Sequence, residues 1–154
     1  MVVLGTGDHG VQEGLRHLQQ RDPDRFSVRF AYDEAAAHKV MAGSDLFLMP
    51  SRSEPCGLTQ MYALRYGTIP IVRATGGLVD TVEPFDAARK TGTGFRFDSP
   101  DGTGLVWALD QALAAMKDAR AWKALMRRAM EKDFSWERSA RSYVLLYRRA
   151  MSRV

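Results

Sequence analysis

Strand-like and helix-like segments alternate through the first hundred residues, and this alternation constrains the fold more than any other feature. Short apolar runs separate stretches whose apolar residues recur at helical spacing. The pattern is typical of βα units, in which helices cover a mostly parallel sheet. The candidate strands are residues 2–4, 26–32, 45–49, 68–72 and 94–97. We therefore predict an α/β fold with a Rossmann-like parallel sheet flanked by helices.

After residue 101 the strand-like runs stop, and three helical stripes of apolar residues follow. Asp101 or Thr103 is a candidate N-cap for the first of these helices, and Ser135 suits the start of the third. The sequence shows no internal repeat and no low-complexity linker. We therefore predict one domain over residues 1–154, with these extra C-terminal helices packed on the flank of the sheet.

The composition is typical of a soluble, intracellular globular protein. With 154 residues, 45% hydrophobic and 26% charged, the chain is large enough to bury a core. No apolar run approaches the roughly 20 residues that a membrane-spanning helix needs, and the apolar N-terminus is too short for a secretory signal. The single cysteine, Cys56, excludes an internal disulfide, and the three histidines lack zinc-ligand spacing. We predict no metal and no cofactor.

Positive charge is concentrated near the C-terminus. Residues 120–154 hold ten Lys and Arg against three acidic residues, although the whole chain carries a net charge of only +4. A basic segment of this kind can bind nucleic acid or another polyanion. Here the charges interleave with a helical apolar stripe and include a favourable Glu137–Arg141 spacing, which favours a solvated helix face. We predict neither a nucleic acid nor a membrane partner.

The segment 51–60 (SRSEPCGLTQ) places a carboxylate and a turn immediately before a helix start. Pro55 restricts Glu54 to extended geometry at the carboxyl end of the third strand, where open parallel sheets bind ligands. The N–H groups of Gly57, Leu58 and Thr59 would be unpaired first-turn donors in the positive field of the helix dipole. Such a corner suits a sugar joined to phosphate. The alternative is an exposed loop carboxylate or a simple helix cap.

Two further side chains are candidates for this site. Tyr32 closes the second strand, where its ring can stack on a nucleobase, although a half-buried core tyrosine is the usual explanation for such a residue. Cys56 has no His or Asp near it in sequence, so a small packing residue or a backbone donor is favoured over a nucleophile.

Two glycine patterns also follow strands. The pattern Gly-x-Gly-x-x-Gly at residues 5–10, with Asp33 or Glu34 ending the next strand, matches a dinucleotide fingerprint weakly, and a simple tight turn is favoured. Gly76 and Gly77 allow a close backbone approach to a ligand. A strand-to-helix turn with Leu78 and Val79 packing inward explains the second pair equally well.

Taken together, five blocks closely resemble bacterial glycogen synthases and plant starch synthases, and Glu-Pro-Cys-Gly-Leu-Thr-Gln is the most specific element among them. The resemblance implies a GT-B fold, in which two Rossmann-like domains face each other across a cleft. This chain resembles most of the C-terminal, nucleotide-sugar-binding domain. The blocks are residues 32–35, 50–60, 66–73, 75–82 and 133–136.

The resemblance also implies an activity: hexosyl transfer from ADP-glucose to the non-reducing 4-hydroxyl of an α-1,4-glucan, with retention and without a required metal. By position Glu54 resembles the catalytic carboxylate that contacts the donor glucose. Cys56, Gly57, Leu58 and Thr59 resemble the backbone that contacts the sugar and the diphosphate, and Tyr32 resembles the adenine-stacking ring. The family works in the bacterial cytoplasm or, in plants and algae, in the plastid stroma.

Two departures from the family pattern bear on activity. The family's Arg and Lys that neutralise the donor diphosphate lie upstream of the first strand, and the N-terminal acceptor domain is absent from the given sequence. Because stabilisation of the leaving group's charge is commonly the largest catalytic term, we expect the isolated fragment to be inactive. The alternatives are a non-catalytic module that binds a nucleotide or a glucan, another GT-B sugar-nucleotide transferase, and a dehydrogenase that uses the turn at residues 5–10.

Overall fold

The computed structural model describes residues 1–152 of the chain. Its contacts divide the chain into two compact units, Met1–Ser44 and Asp45–Val154. Within these units the strands form one two-stranded and one three-stranded sheet, and every strand pair in both sheets is parallel.

The first unit is a pair of βα repeats: β1 (Val2–Leu4), α1 (His9–Arg21), β2 (Ser27–Arg29) and α2 (Glu34–Ala42). The two strands are in register with Val3 opposite Val28. Each helix starts at an aspartate whose side chain accepts a first-turn N–H: Asp8 accepts from Val11 and Asp33 from Ala36.

The second unit is built on a three-stranded sheet in the order β3 (Leu46–Met49), β4 (Ile69–Arg73) and β5 (Phe95–Phe97). Helix α3 (Thr59–Tyr66) connects β3 to β4, and the single turn α4 (Leu78–Thr81) follows β4. The central strand is buried from Ile69 to Val72, as expected for a parallel strand covered on both faces.

Two further helices close the core of this unit, α5 (Gly102–Met116) and α6 (Ala119–Met130). They bury Ala112, Trp122 and Leu125 against the sheet residues Ile71 and Phe95. Fully burying a side chain such as Leu125 contributes about 1.5–3 kcal/mol relative to leaving it in water. The hydrophobic effect on these two helices is therefore the main reason that they cover the sheet.

The sequence predictions of fold class and element order are confirmed. Strand 2–4 has its predicted bounds, whereas the strand predicted at 26–32 is only Ser27–Arg29, because Phe30 and Tyr32 lie outside the ladder. The other three strands start one residue later than predicted. The strands form two sheets rather than one, and the prediction of a single domain over residues 1–154 stays a prediction.

The last helix, α7 (Trp136–Met151), differs from the prediction that it packs on the sheet flank. It begins at Ser135, whose hydroxyl accepts the N–H of Arg138, so the predicted cap is confirmed. Every residue of the helix except Ser139 is exposed, and Trp136 exposes 86% of its surface. Among residues 1–152, no helix is long and apolar enough to cross a membrane.

The N-cap of α5 predicts a testable dependence of folding stability on pH. Hydrogen bonds from the N–H of Gly104 and the hydroxyl of Ser99 hold the pKa of Asp101 below its usual value near 3.8. A depressed pKa stabilises the fold above the unfolded-state value, and this contribution is lost as pH falls through the folded-state value. The stabilisation by Asp101 is therefore complete near neutral pH and disappears below about pH 4.

We expect Asp101→Asn to make the acid side of the stability profile shallower while changing stability little at pH 7, because Asn also caps helices well. Urea unfolding midpoints between about pH 2.5 and 7 measure this. Asp133, whose pKa is lowered first by the Ser135 hydroxyl, keeps part of the acid slope in the variant. An unchanged slope in Asp101→Asn would contradict the assignment.

Candidate functional site

The loops that follow the three strands of the second unit meet at one edge of its sheet. Arg73, at the end of β4, links the other two loops through its guanidinium. Its Nη1 donates to the carbonyl of Arg52 at 2.6 Å and to that of Ser51 at 3.4 Å, and its Nε donates to the carbonyl of Asp98 at 3.4 Å. Ligands bind at the carboxyl edge of open parallel sheets, so this edge is a candidate binding site.

The loop that carries Glu54 is packed directly against the glycine pair after β4. The N–H of Gly77 donates to the carbonyls of Glu54 and Pro55 at 3.3 and 3.2 Å. A Cβ at Gly76 would overlap the carbonyl oxygen of Glu54, and one at Gly77 would lie 2.7 Å from the Cα of Cys56. The glycines therefore permit a close approach by the chain's own backbone, and this approach fixes the Glu54 loop.

The alternative prediction for this glycine pair was a strand-to-helix turn in which two apolar residues pack inward. It is correct for one of the two. Leu78 is fully buried, with Val72 and Val82 as core neighbours, whereas Val79 is exposed and does not pack inward. Gly76 has φ +47°, in the left-handed region that favours glycine.

Gln60 fixes the same loop through side-chain hydrogen bonds, a role that was not predicted from the sequence. Its buried Nε2 donates to the carbonyls of Cys56 and Gly57 at 2.9 and 3.0 Å, and to the hydroxyl of Thr81 at 3.1 Å. The Thr81 hydroxyl in turn donates to the carbonyl of Gly77. This arrangement is not a capping box, in which the Gln side chain would accept the N-cap N–H, so no local motif signalled the role of Gln60.

Helix α3 starts one residue too late for all three predicted donors, the N–H groups of Gly57, Leu58 and Thr59, to belong to its first turn. The helix begins at Thr59 with Leu58 as N-cap, and Gly57 precedes it in a left-handed conformation at φ +75°. Gly57 is thus a turn residue, and its N–H is not a first-turn donor. Within residues 1–152, the N–H groups of Leu58 and Thr59 donate to no protein group. They remain available to an anion in the field of the helix dipole.

The side chains around this helix start leave the corner open. Glu54 is half-buried, and among the described residues its carboxylate forms no hydrogen bond or ion pair. Cys56 is an exposed free thiol, and Leu58 exposes 59% of its surface. Thr59 is also exposed, and its hydroxyl contacts the sulfur of Met49 at 3.7 Å. The structure therefore brings Glu54, Cys56, Gly57, Leu58 and Thr59 together at one accessible corner.

Tyr32 belongs to the first unit and exposes 92% of its surface, so the expectation of a half-buried core tyrosine is wrong. The neighbouring Asp33 has a structural role, since its side chain caps α2 and forms an ion pair with Arg29 at 3.1 Å. An exposed ring beside a rigid helix start is free to stack on a planar ligand.

The glycine turn at residues 5–10 does not support a dinucleotide site. Asp8 caps α1 by accepting the N–H of Val11 at 3.1 Å, so a carboxylate stands where a pyrophosphate would need to bind. The described residues also contain no group of three or more His, Cys, Asp or Glu that could hold a metal ion.

The chain is similar to curated bacterial glycogen synthases. It is 54% identical to the glycogen synthase of Koribacter versatilis over 149 residues, which are 97% of this chain and 31% of that enzyme. It is 48% identical to the glycogen synthase of Thermotoga maritima over an alignment that covers 100% of this chain and 32% of that enzyme. The chain thus spans about a third of the length of these relatives.

Solved structures and a family model indicate the same family. The catalytic domain of starch synthase IV from Arabidopsis thaliana, solved with ADP and acarbose, is 40% identical and superposes with a TM-score of 0.82, over 97% of this chain and 32% of that one. The family model for glycosyl transferases group 1 matches residues 1–128. Because that match covers most of the sequence, the chain belongs to the group 1 glycosyl transferases.

Proposed function

We propose that this chain is the donor-binding domain of a retaining glycogen or starch synthase, a hexosyltransferase that uses ADP-glucose. The single observation that carries the proposal is the corner at α3, where the Glu54 carboxylate and the N–H groups of Leu58 and Thr59 share one accessible edge of the sheet and have no partner among the described residues. The similarity to glycogen synthases and to a starch synthase solved with ADP supports the choice of nucleotide.

Each group at the corner has a defined task in this proposal. Sugar transfer passes through a transition state with positive charge on the ring, which a carboxylate such as Glu54 stabilises. The N-terminus of α3 attracts the negative charge of the diphosphate, and the backbone from Cys56 to Thr59 contacts sugar and phosphate. Tyr32 is not part of this corner, since it belongs to the first unit, and its proposed task is to supply a flat face for the adenine.

The acceptor in this proposal is an α-1,4-glucan, bound through an N-terminal domain of the complete enzyme. The relatives are about three times as long as this chain, so about two-thirds of such an enzyme, including the acceptor side of its cleft, would come from other residues. We therefore expect the isolated chain to bind ADP without transferring glucose. We also propose that this enzyme is cytoplasmic.

Titration of the 15N-labelled chain with ADP tests the donor site. We expect the amide signals of Leu58 and Thr59 to shift saturably, because their N–H groups would meet the diphosphate. UDP should compete more weakly than ADP. Saturable binding of UDP with no response to ADP would indicate another sugar-nucleotide transferase, and no shift with either nucleotide would contradict the donor site.

A matched pair of variants isolates the contribution of Tyr32. Stacking of an aromatic ring on a base contributes about 1–3 kcal/mol, so Tyr32→Leu should weaken ADP binding by roughly 5- to 150-fold. Tyr32→Phe keeps the ring and should bind nearly as well as the wild type. Neither change should affect folding, because the side chain is almost fully exposed. Equal affinities in the two variants would remove Tyr32 from the site.

A further inference from the structure

The second unit contains a cavity of about 910 Å³, and none of its lining residues belongs to the Glu54 corner. It lies between the segment after α4, strand β5 and helices α5 and α6. Its volume is within the range of small-molecule sites, which are mostly apolar with a few polar groups that orient the ligand. The charged groups that line it are four cations and one carboxylate: Lys90, Arg96, Arg120, Arg128 and Asp118.

Among residues 1–152 none of the four cations at this cavity forms an ion pair, although Arg89, next to Lys90, pairs with Asp86. Arg96 and Arg128 are each fixed by one hydrogen bond to a backbone carbonyl, at 2.9 and 3.1 Å, which leaves their other N–H groups available. Two oriented guanidinium groups suit a phosphate, which accepts paired hydrogen bonds from Arg.

The one acidic group at the cavity is already committed as a helix cap. Asp118 accepts the N–H groups of Arg120 and Ala121, both at 3.0 Å, at the start of α6. Arg120 itself stands in the first turn of that helix, where the macrodipole disfavours a cation.

Lys90 is a second unfavourably placed cation at the same cavity. It is the one non-glycine residue with positive φ among residues 1–152, at +56°. The turn that contains it is closed by two backbone hydrogen bonds between Asp86 and Thr91, at 3.1 and 3.2 Å. A left-handed lysine is strained, and such strain persists where the surrounding structure imposes it, often at ligand sites.

The cavity also has an aromatic wall. Trp107 on α5 lines it with 56% of its surface exposed, and Phe85 and Phe95 lie beside each other with ring centroids 5.5 Å apart. An exposed indole face next to unpaired cations offers contacts to a ligand with a flat or ring-shaped body and an anionic end.

We propose that this cavity binds a small organic phosphate. Lys90, Arg96, Arg120 and Arg128 hold the phosphate, and Trp107 packs against the rest of the molecule. The excess of unpaired positive charge favours a phosphate ester over a neutral sugar, which would leave these cations uncompensated. Hexose phosphates and nucleoside monophosphates share this chemistry.

Titration of the 15N-labelled chain, followed by its three indole N–H signals, tests the proposal. The probes are glucose 6-phosphate, AMP and maltose, and the Trp107 signal is assigned with Trp107→Phe. We expect a saturable shift of Trp107 with one or both phosphates, while the exposed Trp136 on α7, which does not line the cavity, serves as the reference. A response to glucose 6-phosphate alone identifies a sugar phosphate, and a response to AMP alone identifies a nucleotide.

The same spectra distinguish this cavity from the Glu54 corner. The amide signals of Leu58 and Thr59 should not shift when the Trp107 signal responds to glucose 6-phosphate. No saturable Trp107 shift with either phosphate would overturn the proposal. An equal or stronger response to maltose would also overturn it, in favour of a neutral-sugar site.

Two variants test the cations without endangering the fold. Lys90→Gly removes a charge and relieves the left-handed backbone, and Arg120→Gln removes a cation from a helix N-terminus, so neither should lower the thermal midpoint. Each should weaken binding of the responding phosphate about tenfold. Arg89→Gln, which removes a neighbouring cation that does not line the cavity, should bind like the wild type. Wild-type affinity in both Lys90→Gly and Arg120→Gln would overturn the assignment.

Discussion

Glu54→Gln should reduce glucosyl transfer by at least about a hundredfold, comparable to the loss of one preorganised electrostatic group in an active site. The substitution keeps the size of the side chain and removes its negative charge, which the proposed mechanism places beside the positively charged sugar ring of the transition state. Because Glu54 forms no hydrogen bond or ion pair among the described residues, the fold does not depend on its charge.

The measurement requires a complete catalytic cleft. A chimera in which this chain replaces the matching 149 residues of the Koribacter versatilis glycogen synthase provides one, with the unsubstituted chimera as the reference for kcat. Glu131→Gln serves as the matched control, since it removes an exposed carboxylate from the same unit. Its turnover should equal that of the reference chimera.

Thermal unfolding separates catalysis from folding in this series. Glu54→Gln, Glu131→Gln and the reference should unfold within a few degrees of one another, since surface changes of this kind usually alter stability by less than about 0.5 kcal/mol. A folded Glu54→Gln chimera with undiminished turnover would exclude Glu54 from the chemistry. It would leave the corner at most a binding role.

Local rules were sufficient to predict most of the fold. Alternating apolar runs and helical stripes identified the five strands and the order of elements, because burial of one face follows the period of each structure. The cap at Ser135 was also predicted correctly, and of the two candidates for α5, Asp101 and Thr103, the structure has Asp101, since a cap depends on residues within three positions of it.

The contacts that shape the candidate site could not be read from local patterns. Gly76 and Gly77 meet the Glu54 loop across about twenty residues of sequence, and Arg73 links two loops on either side of it. Gln60 was within the quoted motif, but its bond to Thr81 depends on how α3 and α4 pack. The sequence identified which residues belong to the corner and did not identify what holds them there.

The exposed helix α7 shows a different limit. Its apolar stripe correctly predicted a helix, and the same stripe predicted a buried face that the structure does not show. Amphipathic periodicity indicates that a face is suited to burial, but it carries no information about which surface covers that face.

Gly76→Ala should destabilise the second unit by about 3 kcal/mol, the largest loss that we expect from a single methyl group in this chain. Two effects add: a left-handed backbone is unfavourable for Ala, and the new Cβ would overlap the carbonyl oxygen of Glu54. For a chain of this size, the thermal midpoint should fall by on the order of 10 °C.

The same substitution should also weaken ADP binding, because relief of the overlap requires the Glu54 loop to move away from the start of α3. Gly102→Ala is the matched control: its Cβ would meet nothing within 4 Å, and it lies in the first turn of α5. That variant should stay within about 0.5 kcal/mol of the wild type in urea unfolding and bind ADP normally. If Gly76→Ala unfolded at the wild-type midpoint, the close packing of the glycine pair against the Glu54 loop would be wrong, and the physical basis for a fixed donor corner would be lost with it.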